Sequence, residues 1–395
     1  MVIDQEKMTA ISTYIEDHQE EALDFYRDLV NAEGRHGELE VLKRTAALLR
    51  QAFSEAGLAV SLIEAGDKNA PVVLGQANQE AMAKPIVFCC HYDTIYPVAS
   101  YGKYPFRIEG DTAYGPGVAD AKGGLVIALY TIKALLAMGF KEAPLRLIAC
   151  GDEEVDHRGG KTVDIIKDVA KDALVAFNME PRSADGTLCI GRMGSYQMTI
   201  QSKGRAAHSG QEFDQGINAI EELAHKIVNI QKLTPRGKDR DFTVSVDTVS
   251  GGSAFNQIPE TATAEVDVRV KSEEVLEDVQ HKIRRICEKN HLEGATTTFS
   301  VSNFMIPFAT TREVAKAYNA LKNIDDSIDG TVTGSCYSAG ASDAAYIAQI
   351  GTPVVCQCGV TGFAIHTDKE RASIPSLWEA IRLFICAAYN WRLFI

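Results

Sequence analysis

The run Pro85-Ile86-Val87-Phe88-Cys89-Cys90-His91-Tyr92-Asp93-Thr94 sets the architecture of this chain. Its first six residues are apolar and partly β-branched with no helical period, which reads as a strand buried on both faces. A strand of that kind belongs in a sheet covered by helices, and open α/β sheets present their chemistry just outside the carboxyl ends of the strands. His91 stands at such an end. Asp93 lies two residues further, on the same side if the extended geometry continues, where it accepts the other ring N–H of His91 and fixes its tautomer. A metal-binding histidine needs that partner.

Two further apolar runs follow the same plan. Leu145-Arg146-Leu147-Ile148-Ala149-Cys150 ends in Gly151-Asp152-Glu153-Glu154, and the run 173–177 ends in Asn178-Met179-Glu180-Pro181. Between the first two strands, Tyr114-Gly115-Pro116-Gly117-Val118-Ala119-Asp120-Ala121-Lys122-Gly123-Gly124 opens an apolar helix over 125–138. Glycines at a loop-to-helix junction suit phosphate. Here the spacing is not G-x-G-x-x-G, no G-K-[ST] follows, and Asp120 occupies the place of the last glycine. An acid aimed into a helix N-terminus repels phosphate and suits a cation. Upstream, apolar spacing predicts helices over 4–31 and 39–56, the latter closed by Gly57, and strands over 58–63 and 71–74.

From about Ser195 the pattern changes to half-exposed strands. Strand 195–203, helix 219–233, strands 242–249 and 261–270, helix 273–289 and strand 296–303 form a split-βαβ, ferredoxin-like order. From Phe308 the α/β pattern resumes, with a helix over 313–323, Ser342-Asp343-Ala344-Ala345-Tyr346 leading another, a strand over 353–356, a loop 359–367 containing His366, and a helix over 376–389. The predicted class is α/β, a mixed and largely parallel sheet with helices on both faces, plus an inserted ferredoxin-like α+β lid domain. The expected boundaries are 1–193 and 305–395 for the first domain and 194–304 for the second, and a length of 395 residues suits two cores.

Composition narrows the classes. Hydrophobic residues at 46% and charged residues at 24% give an ordinary globular balance. Forty basic against fifty-three acidic residues leave a net charge of −13, which disfavours nucleic acid and anionic membrane as partners. No run is long and apolar enough to span a membrane, and the acidic N-terminus lacks signal character, so a cytoplasmic location is expected. The nine cysteines form no C-x-x-C pair and sit mostly in apolar runs, as small buried residues in a reducing compartment do; Cys356 and Cys358 are read the same way.

His91, His366, Asp120, Glu154 and Glu180 are the right kind and number of ligands for two zinc ions that share a carboxylate. Glu153 is then left over. Neighbours on a strand point to opposite sides, so Glu154 can bind metal while Glu153 takes a proton from a metal-bound water.

The motifs H-Y-D-T (91–94), Y-G-P-G-V-A-D-A-K-G-G (114–124), D-E-E (152–154), N-M-E-P (178–181), G-R-A-A-H-S-G (204–210), F-N-Q-I-P (255–259), D-V-R (267–269) and H-T-D-K-E (366–370) resemble those of a known family. It is the dinuclear zinc peptidase and deacylase family of glutamate carboxypeptidases, acetylornithine deacetylase, succinyl-diaminopimelate desuccinylase and aminoacylases. The likeness is strongest to bacterial glutamate carboxypeptidases of the carboxypeptidase G type, in 105–124 and 342–346. It covers nearly the whole chain, in family order.

The resemblance implies that His91, Asp120 and Glu180 hold one zinc, and Asp120, Glu154 and His366 the other, with cobalt or manganese as alternatives. It implies Glu153 as general base, Asp93 as the partner of His91, and a cis peptide at Asp120-Ala121. His208 would donate to the tetrahedral oxyanion, and Asn256, Arg269 and Gly340 would bind substrate, the first two at its free α-carboxylate. A salt bridge from Arg269 to Asp267 or Glu265 is the plain structural alternative for that arginine. The inserted domain would be a lid through which two copies form a homodimer.

The implied activity is hydrolysis of the amide bond to a C-terminal amino acid by attack of a metal-bridging water on a small peptide or N-acyl amino acid. An N-acyl-amino-acid amidohydrolase or a dipeptidase are the alternatives, and a metal-dependent binding protein on a peptidase fold is the non-enzyme one. Retention of Glu153 beside Glu154 argues against the last. Two departures bear on specificity: Ala339-Gly340-Ala341-Ser342-Asp343 stands where the family often writes G-G-T-D, and no lysine stands where a glutamate side chain would be met, Arg182 and Arg192 being the nearby cations. Serine hydrolysis and zincin chemistry lack their motifs, since neither G-x-S-x-G nor H-E-x-x-H occurs.

Overall fold

The computed structural model describes residues 3–103, 105–237 and 240–395, the side chains of 302–304 excepted. The chain divides into two compact units, Met1–Ile190 with Thr310–Tyr337 and Ser342–Ile395, and Gly191–Ala309 with Ser338–Ala341.

The first unit is built on a six-stranded sheet in the order Ala59–Ile63, Val72–Ala77, Leu145–Cys150, Ile86–His91, Val175–Asn178, Val354–Val355. Ile86–His91 runs parallel to both of its neighbours, and Val354–Val355 is parallel to Val175–Asn178. Val72–Ala77 and Ala59–Ile63 close one side as an antiparallel pair. Every residue of Ile86–His91 is buried, as a strand with helices over both faces must be. On one face Phe88 packs against Phe177 and against Phe384 of helix Ile374–Tyr389, with ring centroids 5.6 and 5.8 Å apart. On the other, Cys89 looks toward Asp343, at the start of helix Ala344–Gln349.

The glycine-rich junction serves close packing. A Cβ on Gly124, in the first turn of helix Gly123–Ala137, would lie 2.1 Å from the carbonyl oxygen of Met179. The helix start therefore sits directly on the strand end that leads to Glu180. Gly117 has φ +71°, and a Cβ there would meet Thr94 at 2.5 Å.

A small antiparallel sheet of Arg107–Glu109, Thr112–Tyr114, Arg371–Ser373 and Gly362–Phe363 was not expected from the sequence. Strands of two or three residues are too short to show a period. Arg371 pairs with Tyr114, so the loops that carry Asp120 and His366 leave the same sheet side by side.

The second unit is a four-stranded antiparallel sheet in the order Phe242–Gly251, Thr261–Val270, Gly194–Lys203, Thr296–Met305, with helices Ala219–Gln231 and Glu273–Glu288. Burial alternates along Gly194–Lys203 and Thr261–Val270, the mark of a sheet covered on one face. Side chains of Asn218 and Ser272 cap the two helices. The predicted βαββαβ order is present. The second unit runs over Gly191–Ala309 rather than 194–304 and takes in Ser338–Ala341, where Arg192 Nη1 donates to the carbonyls of Gly340 (3.2 Å) and Ala341 (3.1 Å).

Candidate metal centre

His91 is the last residue of its strand and is fully buried, so its ring is held by packing. Its Nδ1 faces Asp93, 3.2 Å from the backbone oxygen and 3.4 Å from Oδ1. That partner keeps the proton on Nδ1 and leaves the Nε2 lone pair free. Nε2 looks at Asp120 Oδ1 (3.0 Å) and Glu180 Oε1 (3.6 Å).

The second cluster mirrors the first. His366 Nε2 lies 3.3 Å from Asp120 Oδ2 and 3.2 Å from Glu154 Oε2. In each triad, His91–Asp120–Glu180 and Asp120–Glu154–His366, one donor atom per residue lies within 4.8 Å of the others. The two oxygens of Asp120 thus point at different histidines, as a carboxylate shared by two ions must. The Asp120–Ala121 peptide is cis, the only such non-proline bond among the described residues.

Glu153 and Glu154 do not lie on an extended strand, as the sequence argument assumed. The strand stops at Cys150, and the pair begins a single tight helical turn, Glu153–Val155. Successive residues there diverge by roughly 120° rather than 180°, so the two carboxylates still face different ways. Asp93 fixes the turn: its Oδ1 and Oδ2 accept the backbone N–H groups of Glu153 (3.2 Å) and Glu154 (3.1 Å). One buried carboxylate therefore orients His91 and both glutamates.

The electrostatics call for a cation. Burial first, then the negative charges of Glu180, Asp343 and Glu154, push the Glu153 carboxyl well above its ordinary range, against the opposing pull of His91. Hydrogen bonds to Asp120 and Glu154 lift His366 to about 10. Burial opposes protonation of His91, yet its bonds to Asp120 and Asp93 hold it well above its usual value. Burial raises Asp120, but both histidines outweigh it and keep it ionised. Imidazoles that bind protons this firmly occupy positions where a divalent cation would satisfy the same oxygens, and the nitrogen and carboxylate donor set fits such ions. The His366 side chain is 50% exposed against 1% for His91, so solvent reaches the cluster from the His366 side.

Two supporting groups escaped the sequence argument. Glu370 is buried and accepts the backbone N–H groups of Gly117 (3.1 Å), Ala119 (2.8 Å) and Asp120 (3.0 Å), which clamps the Asp120 segment. Its signal was available, since it closes the H-T-D-K-E motif. His157, also buried, joins Asp152 (2.7 Å) to Asp343 (2.6 Å) and so ties the Glu153 turn to the segment after Ala341. No local signal marks it, because Asp343 is 186 residues away. The Tyr96 and Tyr101 hydroxyls donate to the Thr367 carbonyl at 2.9 and 2.8 Å, steadying the loop in which His366 takes φ +62°.

The other expected site residues belong to the second unit. His208 lies on the short strand Ala207–His208, paired with Gln257–Ile258, and the carbonyl of Asn256 accepts the Ser209 N–H at 3.1 Å. His208 Nδ1 accepts two backbone N–H groups, from Gly210 and Gln211, each at 3.2 Å. The ring proton is therefore on Nε2, the atom left to donate. Arg269 Nε donates to both oxygens of Asp267, at 3.0 and 2.9 Å, the salt bridge weighed as its alternative. Arg182, in the first unit, is buried with Nη1 toward Thr331 (3.4 Å). All nine cysteines are free, and Cys356 and Cys358 are buried.

The peptidase dimerisation domain family is matched over residues 190–295 and peptidase family M28 over residues 72–236. Carboxypeptidase G2 of Pseudomonas sp. (strain RS-16) is 28% identical over 380 residues, 93% of this chain and 90% of that protein. An aminopeptidase from Bacillus cereus has the same fold, with a TM-score of 0.78 at 19% identity over 95% of this chain and 99% of its own. A dinuclear metal-binding peptidase of the M20 family from Bacillus subtilis superposes with a TM-score of 0.71 at 18% identity, covering 95% and 98% of the two chains.

Proposed function

We infer that the chain belongs with the M20 peptidases and is a metal-dependent hydrolase that cleaves the amide bond to a C-terminal amino acid. The observation that carries this reading is the Asp120 carboxylate, which offers one oxygen to each of two histidine-carboxylate clusters beside the otherwise uncommitted Glu153. His91, Asp120 and Glu180 would hold one zinc, and Asp120, Glu154 and His366 the second, cobalt or manganese being able to stand in. When bound, such a pair acidifies a water and polarises the carbonyl of the scissile amide.

Glu153 would take a proton from the attacking water and return it to the leaving amine nitrogen. Burial and the neighbouring carboxylates raise the affinity of Glu153 for a proton, the direction that a proton-accepting group needs. Asp93 keeps Nδ1 of His91 protonated and holds the Glu153 turn in register. His208 donates from Nε2 to the oxyanion of the tetrahedral intermediate. Asn256, Arg269 and the Gly340 loop receive the substrate, with the α-carboxylate competing with Asp267 for the Arg269 guanidinium. The second unit also supplies the contact of a homodimer. No helix among the described residues is long and apolar enough to cross a membrane, and the nine free cysteines fit a cytoplasmic setting.

One observation favours an N-acyl-amino-acid amidohydrolase without preference for acidic side chains. Of the two cations near the expected glutamate position, Arg192 is engaged with the carbonyls of Gly340 and Ala341, and Arg182 is buried at 2% exposure, its Nη1 3.4 Å from Thr331 and its Nε and Nη2 without a partner. Chelator-stripped protein reloaded with zinc and offered a panel of dipeptides and N-acyl amino acids separates the readings. Zinc-dependent release of C-terminal glutamate or aspartate supports a glutamate carboxypeptidase, and release of apolar residues supports the amidohydrolase. Tight binding of two ions without any release would overturn the enzyme reading.

A further inference from the structure

The second unit brings together two histidines and a glutamate that the hydrolytic reaction does not use. Glu221 and His225 lie four residues apart on helix Ala219–Gln231, one turn above one another on the same face. His291 comes from the segment after helix Glu273–Glu288. One donor atom from each of the three lies within 4.8 Å of the other two. The His225 and His291 rings are stacked at 3.3 Å between centroids and 24° between planes. All three side chains are exposed, so core packing does not explain their convergence.

What holds them in place is buried. Glu222, fully buried next to Glu221, accepts the backbone N–H of His291 (2.9 Å to Oε2) and of Leu292 (2.8 Å), and pairs with Lys226 at 2.7 Å. Lys226 Nζ in turn donates to the carbonyl of Lys289. The helix thus carries two pairs at four-residue spacing, one step out of phase. The inner pair, Glu222 and Lys226, fastens segment 289–292 to the helix. The outer pair, Glu221 and His225, meets His291 at a position set by that buried clamp rather than by free surface side chains.

Two imidazoles and a carboxylate are a donor set for first-row divalent ions, and with zinc three protein ligands leave a fourth position for water. We propose that Glu221, His225 and His291 form a third metal site, on the face of the second unit, that takes a divalent transition ion such as Zn2+. It shares no residue with the dinuclear centre.

The test is a Zn2+ titration of chelator-stripped full-length protein in competition with a chromophoric chelator. The wild-type chain is expected to take three equivalents, and His225→Ala and His291→Ala two each, with unchanged amide hydrolysis and an unchanged thermal midpoint of the metal-free protein. A His91→Ala/His366→Ala variant is expected to lose the other equivalents and keep the one at His225 and His291. That equivalent should disappear when His225→Ala is added. A wild-type chain that binds the same amount of zinc as His225→Ala and His291→Ala would overturn the proposal.

Discussion

At the scale of single residues, division of labour between adjacent carboxylates is the sharpest consequence of the geometry. Glu153→Ala is expected to lower kcat by roughly 10²–10⁴-fold, the usual worth of a general base, while metal content measured on the same protein stays at the wild-type value. Parallel loss of metal would make Glu153 a ligand instead. Asp93→Ala should behave differently. It removes the partner of His91 Nδ1 and both acceptors of the Glu153 turn, so metal affinity should fall by about 10- to 100-fold in a competition titration.

His366 supplies the pH dependence. In the metal-free protein its pKa is lifted from 6.5 to about 10 by Asp120 and then Glu154. A group raised on folding contributes stability that is full below its unfolded pKa and lost as pH climbs through the folded one. Stripped protein should therefore lose thermal stability between pH 6.5 and about 10, and His366→Gln should flatten that part of the profile. Metal must displace the same proton, so zinc affinity should rise with pH over the same window.

At the scale of elements, the centre depends on how the loops are tied. Glu370 is not a ligand, yet its carboxylate satisfies three backbone donors of the Gly117–Asp120 segment. Glu370→Ala would leave buried N–H groups without a partner, at about 1–3 kcal/mol each. A lowered melting temperature together with weaker metal binding is expected, and loss of stability alone would show that the loop holds without the clamp. Gly124→Ala tests the other side, since the new Cβ would press on the Met179 carbonyl that precedes Glu180. Overpacking of this sort costs about 1–3 kcal/mol and should move Glu180 from its place opposite His91.

At the scale of the whole molecule, each unit has its own core, one around the Phe88 strand and helices and one between the ferredoxin-like sheet and its two helices. Ligands that bind only the folded form add to the stability of the unit that holds them. Zinc at 100 times its Kd should stabilise the first unit by about 2.7 kcal/mol in calorimetry. Asp120→Ala should remove that gain and leave the transition of the second unit in place. The net charge of −13 belongs to this scale too, and disfavours polyanions as partners without specifying the substrate.

The amino-acid sequence by itself determined the apolar strands that end at His91, Cys150 and Asn178, the βαββαβ insertion, and the identity and chain order of the histidines and acids. Strand and helix periods, turn residues and short motifs are local, so they can be read within a window of a dozen residues. Only the tertiary structure decided which oxygen of Asp120 faces which histidine, that Glu370 clamps it, that His157 bridges Asp152 and Asp343, and that Glu221, His225 and His291 converge. Those pairings join segments far apart in the chain or depend on a rotamer. They are fixed by close packing and by the need to satisfy buried polar groups, neither of which has a period to betray it.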